Sequence, residues 1–531
     1  MRDGIRTCLK RHAFPVISGA ALAISFPTWS AYPLAWVALT PLFWRASSLG
    51  PRQAFLLFSV AGLVFNSIVL HWLMTNVYWA GGWAFWGYQG LCVLLALLWG
   101  LVGLMWTWVR LRGPRLGGAI CLALLWTTME FVQAHLFTGF GWGALGYSQG
   151  NDLALVQWAA LGGVSCVSAI LVLVNALVAL AIAERGPWRL VRVLAAVVVL
   201  IISHGVGALL LGPADYDSMP LNVGIIQPDF PLEMKWDYEY TEEMVRNMAQ
   251  KSRWLAQHEP VDLFVWPESA VMVDLASSPD VQAQVVSLTQ DTGCALYAGG
   301  QRVNEKTGGY PNSSYYIDAN GDLVACYDKI HLAPFGEYVP FANHLPFLRR
   351  VVPGTGDIEP GSELKTMPIN DRRFGPLICF EVLFADLAER LRAKGADVLV
   401  VITNLGWFGA SSAIPQEFEL ARLRAIETRL PLVHCANTGV SGVFDPWGRF
   451  RAVNAAFQRS GRYIPFPKNY PPARTIMRRC VGAFPVAAPG KRPVPSGPAV
   501  FPWIVLAATL VIVFATLLRP LKNAPAATAA K

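Results

Sequence analysis

The chain has 531 residues, of which 54% are hydrophobic and only 15% are charged, and its formal net charge is +8. Soluble globular domains carry about 25% charged residues, so this composition predicts that much of the chain lies in lipid. A nucleic-acid-binding protein would gather its positive charge in basic patches on a soluble face. Here the arginines flank apolar runs, which favours a membrane protein and argues against a nucleic-acid partner.

The N-terminal stretch MRDGIRTCLKRHAFP is basic and precedes an apolar run. A cleaved signal peptide would end in a small-residue cleavage site and be followed by a soluble domain. Further apolar segments follow here instead. We therefore interpret the stretch as the start of a retained first span.

Apolar runs then recur along the first part of the chain, and one more lies near its end. A helix needs about 20 apolar residues to cross a bilayer. Seven spans before residue 212 and one after it are predicted near residues 13–28, 31–46, 54–78, 84–109, 116–136, 157–183, 190–211 and 500–518. The first two are short, and we separate them at FPTWSAYP.

Basic residues alternate between the successive loops. The loops after the second, fourth and sixth spans carry arginines, whereas PTWSAYP, NVYWAGGW and the loop that starts FTGFGWG contain no Lys or Arg. Because basic loops face the cytoplasm, we expect both termini in the cytoplasm. Residues 212–499 then lie outside it, which in a bacterium means the periplasm. Merging the first two spans would break this alternation.

After residue 211 the long apolar runs end and the pattern of the sequence changes. Short runs rich in β-branched or aromatic residues alternate with helical stretches such as 239–256 and 416–429, and DANGD at 318–322 carries an Asn-Gly hairpin signal. This alternation predicts a layered α/β sandwich. The chain is therefore divided into a membrane domain, a periplasmic catalytic α/β domain, a Pro-rich linker, a last transmembrane helix and a cytoplasmic tail, at 1–211, 212–484, 485–499, 500–518 and 519–531.

The nine cysteines are spread along the chain, and no two of them form a CxxC pair. Five lie in the polar part, which is an odd number. A full disulfide framework or a zinc site is therefore not expected. If the other thiols pair, at least one of the five should stay free.

Three stretches of the α/β part place reactive side chains at or near strand ends, where sites in α/β folds assemble. They are FVWPES with Glu268, YDKIHLAPFGEYVPF with Lys329 and Glu337, and PLICFEVLF with Cys379 and Glu381. A carboxylate in a partly apolar pocket can take the proton of a thiol. An ammonium beside the attacked carbonyl stabilises an oxyanion. Glu, Lys and Cys together indicate an acyl-transfer site.

Each of these residues, taken alone, also has a structural interpretation. Cysteine is among the most buried residue types, so Cys379 could be a small apolar filler. Glu268 could be an acid at a helix N-terminus after Pro267, and Lys329 a solvated surface lysine. A protease-like pair of Cys379 with His331 lacks the further His or Asn that would support it. The stretches lie far apart, and spacing alone does not decide.

Taken together, WPES, YDKIHLAPFGEYVPF and LICFEVLF resemble the nitrilase superfamily, whose Glu–Lys–Cys triad sits in an αββα sandwich. With several spans before this domain and one after it, the whole chain resembles the apolipoprotein N-acyltransferase family. The resemblance implies that Glu268 is the general base, Lys329 the oxyanion stabiliser and Cys379 the nucleophile. It implies that Glu337 and Glu381 are supporting acids, with the role of Glu381 open, and that no metal or cofactor is needed.

Other positions match the family less fully. Possible substrate-binding residues are Trp236, Asn404, Trp407 and Phe408. Trp236 resembles a tryptophan near the family's pocket mouth. After Asn404 the family usually has Asp and then Ala, whereas this chain has Leu405 and Gly406. Any role of that aspartate is therefore in doubt here.

The stretch TGFGWGALGYSQ at 138–149 resembles the family's outer loop, which usually reads Gly-Phe-Pro-Trp. Gly141 stands where that proline is expected. Trp142 and Tyr147 could contact substrate from this loop. Aromatic residues are also common anchors at the lipid interface, so the sequence leaves both roles open.

The resemblance implies a two-step reaction of bacterial lipoprotein maturation at the inner membrane. Cys379 attacks the ester of a membrane phospholipid, which gives a thioester acyl-enzyme and a lysophospholipid. The α-amine of an apolipoprotein's diacylglyceryl-cysteine then attacks the thioester, which gives an amide. Two substrates that pass through one acyl-enzyme predict ping-pong kinetics.

Two other functions remain open from the residues. A membrane-anchored amidase or nitrile hydrolase would use the same triad with water as the second acceptor, although one anchor would suffice for it. A transporter would place ionisable groups inside its spans. The predicted spans hold few, chiefly Glu130 and His71.

Overall fold

The protein is described from a computed structural model. It describes residues 2–112, 117–212, 221–235, 240–342, 344, 358–453, 455–457, 463–465, 478–486 and 497–517. The chain separates into two compact units. The helical unit comprises Met1–His71, Gly87–Leu210 and Ser496–Lys531, and the α/β unit comprises Trp72–Trp86 and Leu211–Pro495.

Long apolar helices dominate the first part and the end of the chain. The α-helices there are Arg2–Ser25, Thr40–Ala46, Pro51–Val69, Val77–Ala80, Trp83–Arg112, Gly117–His135, Leu153–Val156, Ala159–Ala183, Trp188–Leu210 and Gly497–Leu517. Among the described residues, five helices are long and apolar enough to cross a membrane, and Ala13–Ser25 is a shorter apolar helix. Many large apolar side chains of these helices point outward, including Leu190 and Ile201. These helices mark the chain as a membrane protein.

Residues 31–46 do not form the separate span-length helix that the sequence predicts. They form the 3-10 helix Tyr32–Trp36 and the seven-residue helix Thr40–Ala46. Pro33 and Pro41 lie in the first turns of these two short helices, where proline is tolerated because its missing N–H has no partner to lose. The expectation of a continuous second span is therefore wrong.

Asn175 satisfies the backbone where this segment is broken. It is buried on helix Ala159–Ala183, where its Oδ1 accepts from Leu39 N at 3.0 Å and its Nδ2 donates to Ala35 O at 2.8 Å. Inside a bilayer every backbone polar group needs such a partner. A polar side chain of a neighbouring helix therefore permits a break that apolar periodicity alone does not reveal.

The α/β unit contains fourteen strands among its described residues, which we number in chain order. They are β1 Leu221–Gln227, β2 Leu263–Val265, β3 Ala295–Gln301, β4 Asn312–Ile317, β5 Leu323–Asp328, β6 Met367–Ile369, β7 Arg372–Ile378, β8 Val398–Thr403, β9 Leu432–Ala436, β10 Gly442–Phe444, β11 Phe450–Ala452, β12 Ala455–Phe457, β13 Tyr463–Pro465 and β14 Cys480–Val486. The α-helices after residue 211 within this unit are Leu232–Lys235, Thr241–His258, Pro279–Thr292, Ala385–Ala393 and Ala413–Thr428.

Two sheets form the centre of this unit. One has the order β13-β12-β14-β1-β2-β3-β4-β5 and the other β11-β10-β9-β8-β7-β6. The sheets face each other, since Cys435 Sγ on β9 lies 3.3 Å from Val265 O on β2. Helices Thr241–His258 and Pro279–Thr292 cover the first sheet, and Ala385–Ala393 and Ala413–Thr428 cover the second. This arrangement confirms the predicted αββα sandwich.

The central strands of both sheets run parallel: β1, β2 and β3 in one, and β7, β8 and β9 in the other. Every residue of β8 and β9 is buried, as expected for strands covered on both faces. Parallel strands bring their carboxyl ends to one edge of the sheet. Glu268 follows β2 and Cys379 directly follows β7, so each lies at the carboxyl end of a parallel strand.

The α/β unit includes the inter-helix connection Trp72–Trp86, which the sequence-based division at residue 211 missed. Trp72 is buried, and its indole Nε1 donates to Gln416 Oε1 at 3.1 Å. Its ring meets the ring of Phe408 edge-on, with the centroids 4.8 Å apart. A short connection between two apolar helices is thus part of the packing of the α/β unit.

Candidate active site

Cys379 occupies a sharp turn at the end of β7. The 3-10 helix Cys379–Leu383 begins there, directly after Ile378. The backbone φ of Cys379 is +52°, in the left-handed region, where a residue other than glycine costs about 1–3 kcal/mol. A strained strand-to-helix turn is a known way to present a nucleophile above a sheet. Cys379 is only partly exposed, and it stands at this turn rather than inside the strand.

Lys329 lies directly after β5 and is buried between two carboxylates. Its Nζ is 2.9 Å from Glu337 Oε2 and 3.7 Å from Glu268 Oε1. Asn312, at the start of β4, donates from Nδ2 to Glu268 Oε1 at 2.8 Å and to Glu337 Oε1 at 2.9 Å. The structure therefore brings both predicted acids and the predicted lysine into one cluster, bridged by an amide.

Electrostatics keeps the Lys329 amine protonated. Burial acts to lower the pKa of Lys329, but the charges of Glu337 and Glu268 outweigh it and raise the pKa above its usual value. An ammonium that stays charged at every working pH is suited to stabilise an oxyanion. Lys329 is therefore not the solvated surface lysine that remained open from the sequence.

The surroundings of the Cys379 thiol favour its neutral form. Burial raises its pKa most, the Glu268 charge raises it further, and Lys329 and the Thr403 hydroxyl act to lower it. The net pKa lies above that of an ordinary thiol. Because only the thiolate is a good nucleophile, this site requires a base, and Glu268 is the carboxylate whose charge reaches both Lys329 and Cys379.

Glu337 contacts both the Lys329 ammonium and the loop that follows Lys329. Its Oε2 accepts from Ala333 N at 2.7 Å, in addition to the contact with Lys329 Nζ. The loop is turned by Phe335, whose φ is +62°. One carboxylate thereby fixes both the position and the charge of the lysine.

The sequence left the role of Glu381 open. In the structure its carboxylate holds two segments together. Its Oε1 accepts from Tyr327 Oη and from Ile330 N, both at 2.8 Å, and its Oε2 accepts from Ile378 N at 2.8 Å. Burial raises the pKa of Glu381, against the lowering effect of these hydrogen bonds. Glu381 therefore ties the turn of Cys379 to the chain just after Lys329.

The His331 side chain packs against an aromatic ring. Its imidazole stacks on the ring of Phe384, with the centroids 3.5 Å apart. Its backbone N–H donates to Glu381 Oε1 at 3.2 Å. The residue contributes packing and one further bond to the Glu381 clamp.

Of the predicted substrate-binding residues near β8, Asn404 is part of a buried polar network. Asn404 Oδ1 accepts from Asn437 Nδ2 at 3.1 Å, and Asn437 Oδ1 accepts from Phe230 N at 3.2 Å. Trp407 and Phe408 follow on the 3-10 helix Leu405–Phe408 and are partly exposed. A substrate contact of these residues stays a prediction, and Trp236 lies outside the described residues.

Trp142 and Tyr147 belong to the helical unit, and both side chains are buried there. Glu130 holds their loop, since its Oε1 accepts from Leu145 N and from Trp126 Nε1, both at 2.9 Å. An ionisable group that a transporter could have used is thus engaged in fixing a loop. A substrate contact of Trp142 and Tyr147 stays a prediction.

Asn312 is the site residue that sequence reasoning missed. It contacts both Glu268 and Glu337, yet it sits in PNSSYYID, where nothing but its polarity sets it apart. The usable signal was strand pairing: Lys329 N donates to Asn312 O at 2.8 Å. A hairpin register counted from DANGD would have placed Asn312 opposite Asp328, next to the lysine, because the register shift between Tyr316 and Ile317 moves the true pairing by one residue.

Comparison with known proteins matches both parts of the chain. Residues 18–177 match the family model described as "Apolipoprotein N-acyltransferase N-terminal domain", and residues 222–461 match the one described as "Carbon-nitrogen hydrolase". A Geobacter metallireducens protein named apolipoprotein N-acyltransferase is 34% identical over 84% of this chain and 87% of its own. A protein of the same name from Allorhizobium ampelinum is 31% identical over 83% and 87%.

Among solved structures, Saccharomyces cerevisiae Nit3, described as a member of branch 10 of the nitrilase superfamily, is 16% identical to this chain. The match covers 55% of this chain and 97% of Nit3, with a TM-score of 0.37.

Proposed function

The chain belongs to the apolipoprotein N-acyltransferase family, whose members carry out the final N-acylation step of lipoprotein maturation, and on that premise we propose that Cys379 carries the acyl group as a thioester. Glu268 is the general base and Lys329 the oxyanion stabiliser. The donor is a membrane phospholipid, and the acceptor is the α-amine of an apolipoprotein's diacylglyceryl-cysteine.

In the first step Glu268 takes the proton of the Cys379 thiol as Sγ attacks the ester carbonyl of the phospholipid. The oxyanion of the tetrahedral intermediate forms beside the Lys329 ammonium. Collapse of the intermediate breaks the ester C–O bond, and Glu268 returns its proton to the leaving alcohol. A lysophospholipid leaves, and the acyl group stays on Sγ.

In the second step the neutral α-amine of the acceptor attacks the thioester carbonyl. A second oxyanion forms beside Lys329, and Glu268 takes a proton from the attacking nitrogen. Collapse breaks the C–S bond, forms the amide and releases the thiolate, which recovers its proton from Glu268. The enzyme returns to its starting state with no net gain or loss of protons.

One observation carries this proposal: a buried ammonium lies between two carboxylates beside a cysteine on a strained turn. Lys329 Nζ contacts Glu337 and Glu268 at 2.9 and 3.7 Å, and Cys379 has a φ of +52°. The raised pKa of Lys329 keeps the cation in place, while the raised pKa of Cys379 makes a base necessary. These are the requirements of thiol acyl transfer.

Mass spectrometry of the full chain after incubation with phospholipid tests the proposal. The expected result is a mass increase of one acyl group on the peptide that holds Cys379, lost on addition of a diacylglyceryl peptide. Cys379→Ala abolishes the adduct, and the partly exposed Cys326→Ala is the matched control that keeps it. Lipoprotein acylation by Cys379→Ala at the normal rate would refute the thioester, and release of free fatty acid instead of acyl-peptide would indicate a hydrolase.

A further inference from the structure

A buried charge pair lies in the six-stranded half of the α/β unit. His434 Nε2 is 2.9 Å from Glu417 Oε2, and the two side chains are 1% and 3% exposed. His434 Nδ1 is 2.8 Å from the carbonyl oxygen of Val440. Both ring nitrogens thus face acceptors, so the imidazole is doubly protonated when Glu417 is ionised. Burial lowers the pKa of His434, but the Glu417 carboxylate outweighs it and raises the pKa.

This pair lies close behind the turn of Cys379. Helix Ala413–Thr428, which carries Glu417, packs against the 3-10 helix Cys379–Leu383. On the sheet, His434 is in register with Val401, and Val401 with Leu377, two residues before the nucleophile. The negative charge of Glu417 acts on Cys379. Glu417 Oε1 is buried with no hydrogen-bond partner among the described residues, so none of their donors neutralises this oxygen of the carboxylate.

The other charged groups around this turn are engaged elsewhere. On the Glu417 helix, Glu419 pairs with Arg422 at 2.8 Å and Glu427 with Arg424 at 2.9 Å. On the helix Ala385–Ala393, which also packs against the turn, the pairs are Arg390–Asp386 and Arg392–Glu389, each at 3.9 Å. Glu268 and Lys329 act on Cys379 from the chain that follows β2 and β5 in the opposite sheet.

We propose that Glu417 and His434 are a positioning pair for Cys379, in which the imidazolium balances the carboxylate behind the nucleophile and leaves its proton under the control of Glu268 and Lys329. The proposal rests on the role of Cys379 as the nucleophile. Without His434, the Glu417 carboxylate is uncompensated and opposes formation of a second negative charge on Sγ. Without Glu417, burial leaves the imidazole neutral, so no charge of the pair remains behind Sγ. Only the loss of His434 therefore leaves an uncompensated charge behind the thiol.

The pH dependence of alkylation at Cys379 tests the pair. The full chain is treated with iodoacetamide between pH 6 and 11, and alkylation is followed on the Cys379 peptide by mass spectrometry. His434→Gln is expected to move the midpoint up by about one pH unit, whereas Glu417→Gln leaves a neutral imidazole and should keep the midpoint within a few tenths of a unit. A shift of one unit is a tenfold change in rate at a fixed pH below the midpoint. Glu419→Gln, on the same helix, is the matched control and leaves the midpoint in place.

The difference between the two single variants separates this role from a merely structural one. The double variant Glu417→Gln/His434→Gln leaves no uncompensated charge and returns the midpoint to within a few tenths of the wild-type value. No upward shift in His434→Gln, a shift of about one unit in Glu417→Gln, or a displaced midpoint in the double variant would each overturn the proposal. Because alkylation needs no acyl transfer, absence of an acyl adduct on wild-type Cys379 would refute the thioester proposal and leave this measurement readable.

Discussion

At the scale of single residues, the proposed mechanism assigns the making of a thiolate and the stabilising of an oxyanion to different side chains. Lys329 is held as a cation by Glu337 and Glu268, and Cys379 is held as a neutral thiol by burial and the Glu268 charge. A resting thiol is a poor nucleophile and is slow to oxidise. In the proposed mechanism Cys379 is therefore protected until a substrate carbonyl lies beside it and Glu268 accepts its proton.

Glu337→Gln tests how much of the Lys329 charge this carboxylate secures. A base with a raised folded pKa contributes stability below its unfolded pKa and loses it as the pH rises through the folded value. Without Glu337 the folded pKa falls, so Lys329 loses its proton at a lower pH than in the wild type. We expect kcat to fall roughly 100-fold and activity to decline at a lower alkaline pH. Initial acylation rates between pH 6 and 11 measure both effects.

The control for this change is Glu359→Gln. Glu359 accepts from Asn304 at 2.9 Å and from Thr307 at 2.6 Å, and neither bond involves Lys329. Its replacement should leave the alkaline limb unchanged. An unchanged alkaline limb in Glu337→Gln would contradict the assigned role.

Glu381→Gln tests the clamp that joins the Cys379 turn to the Lys329 segment. An amide keeps the size of the side chain but cannot accept at both ends, so the bond to Ile378 N or the bonds at Oε1 are lost. We expect the free energy of unfolding to fall by about 2–3 kcal/mol and activity to fall with it. Tyr327→Phe removes one bond only and should cost about 1 kcal/mol. Thermal unfolding measures both; equal losses would contradict the clamp.

The sequence predicted the reactive residues of the cluster better than the contacts that fix them. Glu268, Lys329 and Cys379 stand out because their motifs resemble a known family. Asn312 and the bonds of Glu381 depend on which strands lie side by side. That information comes from long-range pairing, which no short stretch of sequence contains.

At the scale of elements, uniformly apolar strands were predictable and broken segments were not. The stretches that became β8 and β9 are continuous apolar runs, and the predicted helix 416–429 corresponds to Ala413–Thr428. Residues 31–46 are equally apolar but are broken, because Asn175 from another helix satisfies their backbone. Hydropathy does not register a partner located 135 or more residues away.

Trp72 offers a test of the connection Trp72–Trp86 as an element of the α/β unit. Trp72→Phe keeps a ring against Phe408 but loses the bond to Gln416, so we expect a loss of about 1 kcal/mol in stability. Trp72→Ala also empties the site of the ring and should cost about 3–5 kcal/mol. Thermal unfolding of the purified chain measures the difference. Trp83→Ala, an exposed aromatic of the same connection, is the control and should have little effect.

At the scale of the whole molecule, the orientation in the membrane rests on the arginine pattern of the loops. We expect the α/β unit in the periplasm of the inner membrane and both termini in the cytoplasm. A periplasm-dependent alkaline phosphatase reporter fused near residue 300 should be active, and one fused in the Arg110–Arg115 loop should be inactive. The opposite pattern would invert the orientation. Because residues 31–46 lack a continuous helix, a third fusion near residue 48 locates that segment.

The bond between Trp72 and Gln416 joins residues that are 344 positions apart. During synthesis Trp72 leaves the ribosome long before Gln416 is made. The packing site of the connection Trp72–Trp86 in the α/β sandwich therefore stays incomplete through most of synthesis. The lipid-embedded helices on either side of Trp72–Trp86 are already made when the strands that receive the segment emerge. The sandwich is therefore completed last, around the segment Trp72–Trp86, which the flanking helices already hold. An excised fragment that starts at residue 212 would lack this segment of the α/β unit.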